Sequence, residues 1–157
     1  MSRFILLLAG VVAVSCHLCM LNPPQRSSLG PTVNGLRSHD CYRVIPPCGA
    51  KPAENSTTYL QAGSVYTIIF QKNLDHIDYK TPGWFTVSFG VDEQSFVEVA
   101  RVKDRGEKNL HLFSEDIIVP PVMNHSKRIV QVAYVTNNAS MAPPVAIYYQ
   151  CSDVIIY

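Results

Sequence analysis

The sequence has no surplus of charge of either sign. Thirteen Lys and Arg stand against twelve Asp and Glu, a formal net charge of +1. A protein held to nucleic acid by phosphate contacts carries a clear basic excess, so nucleic acid is not an expected partner. Charged residues make up only 16% and apolar ones 47% of the chain, which excludes a long disordered tail. The one long apolar run, residues 4–14, is too short to cross a bilayer comfortably, and no second span follows it. There is no Gly-x-Ser-x-Gly elbow, no glycine-rich phosphate loop and no His-x-His or His-Glu-x-x-His cluster. Those absences remove the common serine-hydrolase, nucleotide-binding and zinc-peptidase readings. The scattered Asp and Glu place no carboxylate pair for glycoside hydrolysis. The chain also lacks internal repeats, low-complexity tracts and a convincing amphipathic helix, and it has a single Trp.

What is present begins with an export signature. Arg3, the apolar run and the small residues Ser15-Cys16 read as a secretory signal over residues 1–16, with one domain over residues 17–157. A buried amino-terminal strand is the alternative. Removing Arg3 leaves equal numbers of basic and acidic side chains. Cysteine parity agrees with the cut. Five Cys is an awkward number for a secreted protein, but loss of Cys16 leaves Cys19, Cys41, Cys48 and Cys151 for two disulfides of open pairing. A zinc site is the rival, yet no Cys-x-x-Cys survives cleavage. Three sequons, at Asn55, Asn124 and Asn138, fit an extracellular glycoprotein.

Eleven Pro and eight Gly favour short strands joined by turns. Residues 17–62, with Pro23-Pro24, Gly30-Pro31, Asn34-Gly35 and Pro46-Pro47, read as mostly irregular and dependent on crosslinks. Strands are expected at residues 63–71, 84–89, 96–102, 111–119, 128–136 and 145–156. In the second of these Phe85, Val87 and Phe89 alternate with Trp84, Thr86 and Ser88. The fold class expected is all-β: a small, disulfide-linked, antiparallel immunoglobulin/fibronectin-like sandwich with a long irregular amino-terminal segment. A closed barrel is second.

Signal cleavage exposes His17, whose α-amine and imidazole can chelate one metal ion. A second histidine opposite makes a three-nitrogen site suited to copper. His76, in a polar loop between two strands, is the best partner, while His39, His111 and His125 are the other histidines available. All five can equally be ordinary surface histidines.

Three stretches change that balance. From His17 the chain reads HLCMLNPPQRSS. Asp75-His76 leads to Pro82-Gly83-Trp84-Phe85-Thr86-Val87. Near the end stands Tyr148-Tyr149-Gln150-Cys151-Ser152-Asp153-Val154. Together with DCYRVIPPCG and QVAYVTNN, they resemble the lytic polysaccharide monooxygenases and the related chitin-binding type-4 family, over nearly all of residues 17–156. The resemblance implies one copper ion held by His17 and His76, with Tyr148 in the axial position, or Tyr149 if the register shifts by one. It implies oxidative cleavage of chitin or cellulose-like glycans with an external reductant, by a secreted, monomeric protein. Gln150 or Gln131 is expected to supply a supporting hydrogen bond, and Tyr148 and a core-side Cys151 are expected on opposite faces of the last strand. The short chain and lone Trp keep two other readings in view. One is a copper-binding protein that passes its ion to an acceptor protein, and the other is a structural or interaction module.

Overall fold

In a computed structural model the described residues are 18–27, 39–141 and 146–157. Residues 1–16, expected as a signal, and His17 lie outside them. Eight strands run β1 (Leu18–Asn22), β2 (Thr58–Leu60), β3 (Val65–Lys72), β4 (Trp84–Gly90), β5 (Phe96–Lys103), β6 (His111–Ile118), β7 (Ser126–Val135) and β8 (Ile147–Ile156). They form two sheets, of order β1-β3-β6 and β2-β8-β7-β4-β5. All six expected strands are present, and the molecule is a disulfide-linked immunoglobulin/fibronectin-like β-sandwich rather than a barrel.

The segment over residues 17–62 is mostly irregular where it is described, as expected, and adds two short strands, β1 paired with β3 and β2 with β8. One expectation needs correction: the fold is not wholly antiparallel, since β2 runs parallel to β8. Both short strands gain their hydrogen bonds from distant partners.

The alternation in β4 decides which side faces inward. Phe85, Val87 and Phe89 are buried against Ile68, Phe70 and Phe113 of the other sheet. Phe85 stacks on Tyr134 at 4.3 Å and meets Phe113 at 4.7 Å, so aromatic packing adds to the area removed from water. The opposite face of the large sheet carries a second, small cluster of Cys48, Ile129 and Cys151, with Phe96 against it.

Two disulfides form, Cys19–Cys41 and Cys48–Cys151. The second lies on the outer face, so the core-side placement expected for Cys151 is reversed. Tyr148, two percent exposed, is the residue that faces the core. The two do occupy opposite faces, as period-2 geometry requires.

The β8 edge is covered along its length. β2 takes residues 154–156, while Arg26 N–H donates to Cys151 O at 2.7 Å and Tyr149 N–H to Arg43 O at 2.8 Å. The other edge of this sheet, β5, has no partner strand among the described residues, and its pairing with β4 slips at Val87/Ser88.

Candidate functional site

His76 stands in the loop between β3 and β4, and the loop is tied down at several points. Asp75 N–H donates to Asn109 Oδ1 at 2.7 Å, Ile77 N–H to Asp75 Oδ1 at 3.0 Å, and Asn138 Nδ2 to His76 O at 3.0 Å. Beneath it lies a buried charged group. Lys72 Nζ reaches Asp104 Oδ1 and Asp75 Oδ1 at 2.5 Å each, with the Lys72 and Asp104 side chains fully buried. Tyr134 donates its hydroxyl to Asp104 Oδ2 at 2.5 Å. Burial alone pushes the Asp104 carboxyl up, but hydrogen bonds from Lys72, Tyr134 and Gly106 N–H outweigh it and hold the carboxyl below its ordinary range. A backbone hydrogen bond from His76 to the Tyr134 hydroxyl joins the loop to this group.

Burial pushes the His76 imidazole down to about 4, with the Asp104 charge opposing. It is therefore neutral near pH 7, the form in which histidine ligates a metal. Its ring lies 6.4 Å from that of Tyr148, at an interplanar angle of 24°. Burial, with a smaller contribution from Tyr42, raises the Tyr148 phenol and keeps it protonated. Tyr149 projects from the opposite side of β8, away from His76. Gln150 and Gln131 also separate. Gln150 Nε2 donates to Leu18 O at 2.6 Å, whereas Gln131 Nε2 donates to Pro47 O on the outer face.

The amino-terminal segment comes to the same end of the sandwich. Leu18 faces Lys72, four residues before His76, and is bonded by Gln150, two residues after Tyr148. Among the described residues no cluster of three or more His, Cys, Asp or Glu could hold a metal. The donor set expected from the sequence needs His17, outside the described residues. His76 as a neutral imidazole and Tyr148 as a protonated phenol fit the chemistry of that set.

The remaining residues expected from the sequence lie elsewhere. His111 packs edge-on against Phe113, and His125 against Tyr157 at the far end of the sandwich. His39 begins a short 3-10 turn ending at Cys41. The four described cysteines are all in disulfides, so none offers a thiolate. Asn55 and Asn124 are exposed, whereas Asn138 is half-buried with its amide engaged by the His76 loop.

The single Trp is not a platform beside His76. Its ring lies on the outer face of the large sheet with the Arg101 guanidinium over it at 5.2 Å. Two tyrosines that the sequence did not single out are better placed. Tyr79, three residues beyond His76, is 79% exposed and lies against Gly106, while Tyr42 is 42% exposed with its ring 5.9 Å from Tyr148. Neither sits in a periodic pattern that would have marked it.

The class so defined is a disulfide-linked, all-β immunoglobulin/fibronectin-like sandwich with a histidine and a tyrosine meeting at one end. Among solved structures its fold is similar to that of lytic polysaccharide monooxygenase AA15 from Thermobia domestica in the Cu(I) state. The TM-score is 0.54 at 17% identity, over 89% of this chain and 98% of that one. Likeness at that identity is likeness of fold. No family model matches the chain, and no curated protein does. No helix among the described residues is long and apolar enough to cross a membrane.

Proposed function

We propose that this protein is a secreted copper enzyme that oxidatively cleaves glycosidic bonds in an insoluble polysaccharide, chitin first and cellulose second. The observation that carries the reading is the convergence of the neutral His76 imidazole, the buried Tyr148 phenol and the start of β1 at one end of the sandwich. Signal removal after Cys16 makes His17 the amino terminus, and its α-amine and imidazole complete a three-nitrogen set with His76. Tyr148, its ring 6.4 Å from that of His76, would border the ion. The fold of a copper-bound polysaccharide monooxygenase supports the same reading.

A bound copper ion would supply one-electron chemistry with oxygen or peroxide, which no side chain of this protein can supply. The chain's own residues do the rest. Asn138, Asn109 and Tyr134 hold the His76 loop, so its imidazole is presented with little freedom left to lose. Tyr148 closes one side of the site with a buried ring. Tyr42 and Tyr79 offer exposed rings on which sugar faces can stack, orienting a chain across the site.

The second reading is a copper carrier. It is favoured by the position of Trp84, whose ring is committed to Arg101 on the outer face of the large sheet. One experiment separates the two. Copper-loaded protein with a reductant and oxygen or peroxide is expected to release oxidised oligosaccharides from chitin or cellulose, and His17→Ala to abolish the product. No product across a broad glycan panel, with stoichiometric copper binding and transfer of that copper to an acceptor protein, would establish the carrier instead.

A further inference from the structure

The two sheets part along one side of the sandwich. There β5, an edge of the large sheet, lies beside β6, an edge of the small one, and among the described residues the two are not paired. The loop of residues 104–110 carries the chain from one to the other. The opening is a cleft of about 370 Å³, a size that suits a small ligand. Phe113, buried, and Val102, half-buried, form its floor. Arg101, Lys103 and Arg105 line it from the β5 side, His111 and Glu115 from the β6 side, and Glu107 from the joining loop.

The cations are not spent on the carboxylates beside them. Arg101 is engaged, with Nε and Nη2 on Glu98 at 2.8 and 2.7 Å and its guanidinium over the Trp84 ring. Lys103 and Arg105 are exposed and form no ion pair among the described residues. Glu107 borders the same cleft, yet its Oε2 accepts from the Arg105 backbone N–H at 3.0 Å. In a chain of formal net charge +1, two adjacent unpaired cations at one opening make a local positive surplus. The backbone that carries Arg105 is also fixed. Gly106 N–H donates to Asp104 Oδ1 at 3.0 Å, and Asp104 is buried and bonded to Lys72 and Tyr134. Gly106 holds φ at +85°, which glycine adopts without strain. Little ordering of this loop is left for a ligand to impose.

We propose that this cleft binds an acidic saccharide unit, a sugar bearing a carboxylate or a sulfate ester. Lys103 and Arg105 take the anionic group through charge-assisted hydrogen bonds. Glu107 and Glu115 accept from ring hydroxyls, for which a carboxylate is an acceptor only. Val102 and Phe113 offer the apolar floor. The same two carboxylates repel a chain with an anion at every unit, so a nucleic acid backbone is disfavoured. The site shares no residue with the copper reading and stands without it.

The test uses metal-free secreted protein and isothermal titration, at low salt and again at physiological ionic strength. The probes are a galacturonic acid trisaccharide, a sulfated cello-oligosaccharide, the unsulfated cello-oligosaccharide of the same length, inorganic sulfate and a single-stranded DNA oligonucleotide. At least one acidic saccharide is expected to bind more tightly than the neutral one, with affinity falling as salt rises. The tighter of the two identifies the anionic group. Lys103→Gln/Arg105→Gln is expected to weaken that binding by about tenfold or more. Lys127→Glu, at an exposed position on β7, lowers the net charge by the same two units and is expected to keep the parent affinity. Backbone amide shifts on titration are expected at residues 102–105 and 111–115. Equal loss in Lys127→Glu would assign the binding to net charge and overturn the proposal, as would shifts centred elsewhere. Inorganic sulfate or the oligonucleotide binding as tightly as the acidic saccharide would overturn the saccharide assignment. No preference for an acidic over the neutral saccharide would overturn the site.

Discussion

Arg26 grips Asp153 through two parallel hydrogen bonds, Nε to Oδ2 at 2.8 Å and Nη2 to Oδ1 at 2.9 Å. The first residue belongs to the HLCMLNPPQRSS stretch and the second to YYQCSDV. Two of the stretches that prompted a functional reading are thus joined by a structural clamp, which Glu93 and Lys51 O complete on Nη1 at 2.5 and 2.9 Å. The clamp holds the amino-terminal segment against the outer face of the large sheet.

Because the Arg26 side chain is fully buried, removing the Asp153 charge leaves it paired with the partly exposed Glu93 alone. Asp153→Asn is expected to cost about 1–3 kcal/mol of unfolding free energy, read from urea denaturation. Arg26→Lys should rescue little, since an ammonium cannot reproduce the two-pronged geometry. A loss below about 1 kcal/mol, as for an exposed pair, would show that the clamp is not closed in solution.

Copper binding should discriminate among the residues at the site end. N-terminal sequencing of secreted protein is expected to return His-Leu-Cys-Met. His17→Ala and His76→Ala should each greatly weaken Cu(II) binding, Tyr148→Phe should change the spectrum more than the affinity, and Tyr149→Phe should change neither. Tyr79→Ala and Tyr42→Ala should keep copper affinity and reduce retention on insoluble chitin. If Tyr149→Phe alters the spectrum while Tyr148→Phe does not, the axial assignment is reversed.

The depressed His76 pKa gives a pH dependence of defined sign. The unfolded chain takes up a proton on this imidazole near 6.5 and the folded chain only near 4. Between those values the unfolded state binds more protons, so stability falls as pH drops. Solvent reaches part of the ring, so the loss is below the full linkage value of about 3 kcal/mol once pH is below both values. Urea denaturation of copper-free protein at pH 7, 5.5 and 4 should show the decline. His76→Phe should flatten it. An unchanged slope in that variant would assign the dependence to other groups.

Mass spectrometry without reduction should find Cys19 linked to Cys41 and Cys48 to Cys151, with no free thiol. The second bridge closes a sequence separation of 103 against 22 for the first. Its loss is expected to cost more, roughly 4–5 against 3 kcal/mol on chain-entropy grounds. Reduction should loosen the proline-rich amino-terminal segment before the sheet. Glycan is expected on Asn55 and Asn124, with Asn138 unmodified because its amide nitrogen is bonded to His76 O.

The strands were legible where local chemistry alone determines them. Phe85, Val87 and Phe89 alternate cleanly between turn residues, and that pattern is enough to orient β4. Leu18–Asn22 and Thr58–Leu60 were not legible, because five and three residues among prolines carry no period of their own. Their pairing with β3 and β8 is a property of the assembled fold. The same limit applied to the site. Spacing singled out His76 and placed Tyr148 opposite Cys151, but it could not say which of them met the core. That Gln150 meets Leu18 O and Gln131 meets Pro47 O depends on what lies above each face of the sheet. Tyr42 and Tyr79 gave no signal, since exposed loop aromatics have no repeating neighbour to reveal them.

The unpaired edge of β5 bears on how the protein behaves at high concentration. A free strand edge offers a row of amides and carbonyls to any other chain, and Val97 and Val99 on this strand are exposed. With a formal net charge of +1, mutual repulsion between molecules is too weak to keep copies apart. Protection must come from the strand itself. Glu98, Arg101 and Lys103 are exposed along it, and the slip opposite Val87/Ser88 breaks the regular spacing that a second strand would need to match. Replacing those three charges would leave the fold in place and open the strand to pairing with other copies, so colloidal behaviour here turns on a few side chains of one strand.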